Sequence, residues 1–275
     1  MTPLPWIINN EAAVRLACFA GVFGLVALWE RWAPRRALNF SKPVRWYSNI
    51  SIAALNIGAV RLFFPILVVV FAALARERGW GLLNNVSLPG PVEIIAALLL
   101  LDFIIYLQHV MFHSLPLLWR LHRMHHTDTD YDLTTGIRFH PIEILISMGI
   151  KFGAVALIGP PPEATVLFEV ILNGAAMFNH GNIRIPVALD RVLRWFVVTP
   201  DMHRVHHSIY PEESRNNFGF NVPWWDYLFG TYFAQPRDGH ERMDIGIGQF
   251  RDPRHLHALS LIAQPFMRDD KMMAS

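Results

Sequence analysis

Charge is scarce in this 275-residue sequence: Asp, Glu, Lys and Arg together make up 17%, where soluble domains carry roughly 25%. That deficit excludes a disordered chain held open by its own charge. The two signs nearly cancel, 24 basic against 22 acidic residues, so no basic face for a nucleic acid is implied. The single cysteine, Cys18, lies in an apolar run, so neither a disulfide framework nor a thiolate metal site is available. The N-terminal segment does not read as a cleavable leader. The first basic residue, Arg15, sits inside the first apolar stretch and no small-residue cleavage pattern follows it. The opening hydrophobic segment is therefore expected to be retained.

What the sequence does hold is apolar length: 53% hydrophobic residues and a mean hydropathy of +0.28. A membrane-spanning helix needs about 20 mainly apolar residues. Residues 12–32, 49–75 and 92–113 meet that need. Segments 142–159 and 163–180 are shorter and are separated by Gly159-Pro160-Pro161-Pro162, which no helix crosses. They are expected to form a hairpin that dips into the bilayer. The run Leu98–Ile105, interrupted only by Asp102, argues against buried helices of a soluble protein.

Basic residues near span ends set orientation. Arg31, Arg35, Arg36, Lys42 and Arg45 follow the first span, and Arg120, Arg123 and Arg138 follow the third, whereas Arg76 and Arg78 are partly offset by Glu77. The N-terminus is thus expected outside, with segments 33–48, 114–141 and 181–275 inside. Arg61, in mid-span, reads as a packing or headgroup contact. Three regions are expected: an N-terminal transmembrane region over 1–91, a catalytic domain over 92–235 and a polar tail over 236–275. The tail is broken by Pro236, Pro253 and Pro265, and its end Asp269–Ser275 is expected to be mobile.

Against this background, 13 histidines stand out. His109 and His113 are four residues apart at the inner end of the third span. His122, His125 and His126 form one HxxHH cluster, and His203, His206 and His207 form a second. Positions i, i+3 and i+4 share a helix face, so each cluster offers imidazoles from little more than one turn. Two such clusters with the same embedded Arg, Arg123 and Arg204, do not arise by chance at this histidine frequency. Eight imidazoles are too many for one ion and enough for two. Imidazole suits iron, zinc, copper and nickel. A site without thiolates or carboxylates favours redox-cycling iron, with zinc and copper left open.

The remaining histidines read differently. His180 ends the fifth apolar segment beside the clusters and is expected to be a further ligand, whereas His140, before a proline at a helix start, reads as structural. His240, His255 and His257 have no partner cluster and read as ordinary tail residues. Ligating histidines donate their second N–H to a carboxylate or carbonyl. Asp102, Asp128, Asp130, Glu143, Asp201 and Asp226 are candidates for that role. Thr199 or Asp201 could cap the helix of the last cluster, and Asn216 and Asn217 are second-layer or turn candidates. Trp119, Trp195, Trp224 and Trp225 read first as interfacial anchors.

These motifs, together with TTGIRFHPIE, FNHGNIRIP and the closing WWDYLFGTY, resemble the fatty acid hydroxylase/sterol desaturase superfamily over about residues 92–235. The resemblance implies an all-α polytopic protein: a four-helix transmembrane stem with a cytosolic helical cap carrying a di-metal site. It matches His109 and His113 to the first histidine box, His122, His125 and His126 to the second, His203, His206 and His207 to the third, and His180 to a further family histidine. These nine are the expected metal ligands, and the eight box residues the expected catalytic set. Val110 stands where the family commonly has an Arg, after Gln108, which bears on substrate and not on the metal site. No haem-binding HPGG motif is present. The resemblance thus implies a separate electron donor (ferredoxin, cytochrome or reductase) in a bacterial-type member.

The expected function is therefore dioxygen-dependent hydroxylation or desaturation of a lipid or sterol-like C–H bond at two iron ions, zinc being possible in purified protein. Its setting would be the cytosolic face of a bacterial inner membrane. The alternatives are a carotenoid or ether-lipid oxygenase on the same site, a bis-histidine haem electron carrier, or a metal transporter. A transporter would want polar groups along several spans, and only Asp102 and Arg61 qualify.

Overall fold

The computed structural model describes residues 10–267. Among these the only extended pairings are two isolated bridges, Pro34 with Ile183 and Ser208 with Ile245. The expected mobile end Asp269–Ser275 lies outside the described residues. The stem begins with α1 (Glu11–Trp32), 22 residues long and hence about 33 Å at 1.5 Å per residue. It continues with α2 (Lys42–Phe63), α3 (Val68–Glu77) and α4 (Gly90–Ser114). A short α5 (Pro116–His126) leads to α6 (Pro141–Ile158) and α7 (Pro162–Asn179).

Four segments are long and apolar enough to cross a membrane: Glu11–Trp32, Lys42–Glu77, Gly90–Ser114 and Pro141–Ile158. Their outward side chains are large and apolar; Leu25 is 70% exposed, Leu62 75% and Leu157 77%. Water would not tolerate such a belt, and lipid does. The chain is an integral membrane protein.

The 49–75 segment is not one helix. Pro65, which has no N–H to donate and restricts the residue before it, separates α2 from α3. Arg61 lies in the last turn of α2, exposed and inside the apolar 42–77 segment. The break between the two apolar segments falls where expected, but α6 and α7 pack chiefly on the earlier stem helices and not on each other, and α6 is itself long enough to cross a membrane. Gly159 closes α6 in the left-handed region at φ 67° and α7 starts three residues later. Gly81 lies against it so closely that a Cβ there would sit 2.2 Å from Gly159 N, and Leu82 N donates to Leu157 O at 2.9 Å. α7 packs against α1, α3 and α4.

The cap adds α8 (Val187–Leu193), α9 (Pro200–His206), α10 (Pro211–Ser214), α11 (Trp224–Phe229), α12 (Gly239–Arg242) and α13 (Ala258–Ala263). Proline occupies the first turn of α2, α4, α5, α6, α7, α9 and α10. A missing N–H costs nothing there and the fixed φ suits the helix start. The N-terminal helices are keyed into this cap. Fully buried Arg45 of α2 binds Asp128 at 2.9 and 2.8 Å and Asp132 at 2.7 Å. Glu30 of α1 accepts from Leu133 N at 2.7 Å and Asn182 N at 2.9 Å. The tail is also part of the cap through Met267. Arg123 donates to Gln264 O and Arg120 to Pro265 O, while Met243 and Ile245 pack with Tyr131.

Candidate metal centre

Nine imidazoles converge where the stem meets the cap. α4 delivers His109 and His113 from its last turns, and α5 delivers His122, His125 and His126. His180 caps α7, while α9 carries His203 and His206 and ends at His207. They fall into two groups. His109, His113, His122, His126 and His206 form one; His125, His180, His203 and His207 form the other. Within each group the ligand nitrogens lie within 4.8 Å of one another. Adjacent helical residues point about 100° apart. Each HH pair is therefore split, His125 from His126 and His206 from His207, while the i,i+4 pairs His122/His126 and His203/His207 stay together.

The outer ring nitrogens fix how the rings are used. His109 Nδ1 donates to Phe218 O at 2.9 Å, His125 Nδ1 to Arg138 O at 3.2 Å, His180 Nδ1 to Ala176 O at 2.7 Å and His206 Nδ1 to Asn216 O at 2.7 Å. His122 Nδ1 donates to Glu143 Oε1 at 2.7 Å. Carbonyl and carboxylate oxygens only accept, so in these five rings the proton is on Nδ1 and Nε2 presents a lone pair. His125 Nε2 and His180 Nε2 then face each other at 3.1 Å, lone pair to lone pair. The Nε2 atoms of His109, His122 and His206 are buried without a partner. A buried acceptor without a donor is costly. Lone pairs about 3.1 Å apart match two nitrogens that each lie about 2.1 Å from one ion. The donor set fits one cation in each group.

Electrostatics agrees. Burial pushes His180 and His206 down to about 3. It holds His125, His126, His203 and His207 well below the ordinary histidine value, with the neighbouring imidazoles adding to the effect. Neutral imidazole is the form that binds metal. Aromatic walls keep the rings dry: Phe139 stacks on His125 at 4.4 Å, Trp119 lies 5.0 Å from His113, and Phe218 stands edge-on to His109, His113 and His206.

Other sequence candidates separate clearly. Thr199 caps α9 through Met202 N, and Asp201 pairs with Arg35 and Arg204. Asp130 holds Asn39 N and Phe40 N, and Asp128 binds Arg45. Asp102 accepts from Trp225 Nε1 at 2.8 Å, and Asp226 accepts from Phe218 N and Gly219 N at 2.8 Å each. His140 caps α6 by accepting from Ile142 N and stands outside both groups. His240 is no surface residue: it is buried, with Nε2 on Gln235 Oε1 at 3.0 Å, and it too stands outside the groups. His255 meets Ser260, and His257 is exposed. Trp195 and Trp224 are exposed, whereas Trp119 turns onto the histidines and Trp225 onto Asp102. The buried partnerships of Arg45, Asp132, Arg138 and Glu30 escaped sequence reasoning, which read Arg45 and Arg138 only as orienting charges. The alternating acids Asp128, Asp130 and Asp132 were a local hint, but the cation that Asp128 and Asp132 share, Arg45, lies 83 and 87 residues away.

Residues 94–231, just over half of the chain, match the fatty acid hydroxylase family. The chain belongs to that family. It is 27% identical over 259 residues to the ornithine lipid hydroxylase OlsE of Rhizobium tropici, covering 91% of this chain and 75% of that protein. It is 29% identical over 159 residues to the human alkylglycerol monooxygenase, covering 56% of this chain and 33% of that one. A cholesterol 25-hydroxylase-like protein of Danio rerio is 28% identical over 151 residues, covering 52% of this chain and 58% of its own length. The chain thus spans most of the first relative but only about a third of the human monooxygenase. No solved structure matches significantly. The family member's all-helical stem, membrane belt and histidine groups agree with the resemblance read from its motifs.

Proposed function

We propose that this family member is a di-iron oxygenase of the membrane, using dioxygen and a separate electron donor to hydroxylate or desaturate a lipid C–H bond. The observation that carries the reading is the convergence of nine imidazoles, eight of them buried and His113 partly so, in sets of five and four, with unpaired inward nitrogens. One ion would be held by His109, His113, His122, His126 and His206, the other by His125, His180, His203 and His207. Bound iron supplies the oxidising power that an unactivated C–H bond requires.

The protein's residues do the rest. Five outer-nitrogen hydrogen bonds preorganise the rings, and the aromatic walls of Phe139, Phe218 and Trp119 exclude water. Neither group includes a carboxylate, which leaves the positive charge of each ion undiminished. A haem carrier is disfavoured because the rings pack against each other, with centroids of His126 and His207 at 4.4 Å and of His109 and His206 at 4.5 Å. That spacing has no room for a macrocycle between them.

A site at the end of an apolar stem suits an amphiphile that enters sideways from the bilayer. Likeness to an ornithine lipid hydroxylase supports a bacterial polar lipid as substrate. Likeness to alkylglycerol monooxygenases supports an ether lipid as the second reading. The distribution of basic residues supports a cytosolic site in a bacterial inner membrane, with the N-terminus outside. The test combines metal analysis of protein purified from membranes with comparative lipidomics of cells with and without it. Two ions per chain and a lipid class one oxygen heavier, or two hydrogens lighter, are expected. One ion or none in active protein, or an unchanged lipidome, would sink the reading. A Soret band in the purified protein would turn it toward a haem carrier.

A further inference from the structure

We infer that the two histidine groups are set by separate supports, and that Asp226 governs metal affinity at the five-histidine group alone. The inference rests on the reading that each group holds one ion. The support in question is the strap from Asn216 to Thr231, which contains α11. Asn217 stands in it at φ 56°, a region that a non-glycine residue enters only under constraint. Its side chain supplies the constraint: Nδ2 donates to Met202 O at 2.9 Å and Phe233 O at 2.8 Å, and Oδ1 accepts from Phe233 N at 2.8 Å. The turn presents Asn216 O to His206 and Phe218 O to His109, both in the five-histidine group.

Asp226 fixes the second of these carbonyls. Its Oδ1 accepts from Phe218 N at 2.8 Å and from Thr231 Oγ1 at 2.7 Å, and its Oδ2 from Gly219 N at 2.8 Å. The fit is tight enough that a Cβ on Gly219 would lie 2.6 Å from Asp226 Oδ2. Neighbouring Trp225 donates to Asp102 of α4 at 2.8 Å. The helix carrying His109 thus anchors the strap that orients His109. In the four-histidine group the outer-nitrogen partners come from elsewhere, Arg138 O before α6 for His125 and Ala176 O within α7 for His180. Among the described residues the strap meets this group only at Phe220, whose ring lies 6.3 Å from His203 and whose carbonyl accepts from Asn179. α5 and α9 each contribute to both groups. Asp226 is accordingly a positioning residue with a one-sided effect.

The experiment uses the full-length protein purified from membranes, with metal counted per chain during chelator competition. In Asp226→Asn the new amide faces one of two backbone N–H groups, donor against donor, without change of size. Loss of such a support typically weakens metal binding 10–100-fold. Asp226→Asn is therefore expected to surrender one ion at chelator concentrations that leave two in the wild type, and to keep the other at wild-type affinity. Gly136→Ala should weaken the other ion, because a Cβ there would stand 2.2 Å from Ala176 O and 3.2 Å from His180 Nδ1. The double variant should then lose both. Asp226→Asn keeping both ions at wild-type affinity overturns the inference, as does losing both together while still unfolding cooperatively. Should Asp226→Asn not fold, Thr231→Val removes one bond to the carboxylate and should show a smaller loss, again of one ion; an even loss overturns the proposal. Wild-type protein that holds no metal at all defeats the functional reading along with it.

Discussion

Arg45 offers the most direct test of how the stem organises the cap. Its guanidinium is fully buried and spends all three nitrogens on Asp128 and Asp132. Arg45→Met keeps the volume roughly constant and removes the charge. Asp128 would retain Thr135 Oγ1 at 2.8 Å and Arg138 at 3.6 Å, and Asp132 would retain Thr134 and Trp46. Two carboxylates would then face one guanidinium in a dry interior. Removing one partner of a buried ion pair costs about 3–5 kcal/mol. At roughly 2–4 °C per kcal/mol for a chain of this size, melting should fall by roughly 6–20 °C. Restoring charge balance with Asp132→Asn should recover much of that loss, a coupling that a double-mutant cycle isolates. Thermal unfolding in detergent, followed by tryptophan fluorescence, reads both quantities. Wild-type melting of Arg45→Met, or a double variant no better than the single one, would refute the reasoning.

Glu143→Gln keeps an acceptor for His122 Nδ1 but removes its charge; metal affinity should drop 10–100-fold in chelator competition, and an unchanged affinity would deny the carboxylate its role. His125→Ala and His206→Ala each remove one nitrogen from a different group; both should abolish lipid oxidation while the protein stays folded in membranes, and residual turnover near wild type would exclude them as ligands. Acid should destabilise the metal-free protein. His180 and His206 are held to about 3 against an ordinary 6.5, so between those values the unfolded chain binds more protons. Stability then falls as pH drops below 6.5, by up to about 1.4 kcal/mol per pH unit for each such histidine. Asp226, raised by burial from 3.8 to about 6, acts oppositely: its contribution is present below 3.8 and lost as pH rises through 6. One carboxylate is outweighed by His180, His206 and the other depressed histidines outside the spans, His125, His126, His140, His203, His207 and His240. Melting temperatures of chelator-treated protein that hold or rise on acidification would contradict this.

The features legible in the sequence are those that physics writes locally. Apolar length marks the spans, and three consecutive prolines after Gly159 mark the break between α6 and α7, because both act locally along the chain. The i,i+3 and i,i+4 spacing of histidines marks a metal-binding pattern for the same reason. Pro65 was equally local, and the break between α2 and α3 follows from it, yet a hydropathy reading passed over it. The tail illustrates the opposite case. His240, Met243, Ile245 and Leu261 carry no periodic signal but are buried, since their partners come from distant segments.

By itself, then, the sequence determined that this chain enters a membrane, that it is helical, and which nine histidines assemble. Only the tertiary structure decided how those nine divide. The split of His125 from His126 and of His206 from His207 depends on which ring each 100° step of a helix turns toward, and that ring belongs to another element. The supports were decided there too. Arg45 finds Asp128 across 83 residues, and Asp102 finds Trp225 across 123. Buried charges and orphaned N–H groups are satisfied by whatever donor or acceptor folding brings near, and no spacing along the chain encodes that proximity.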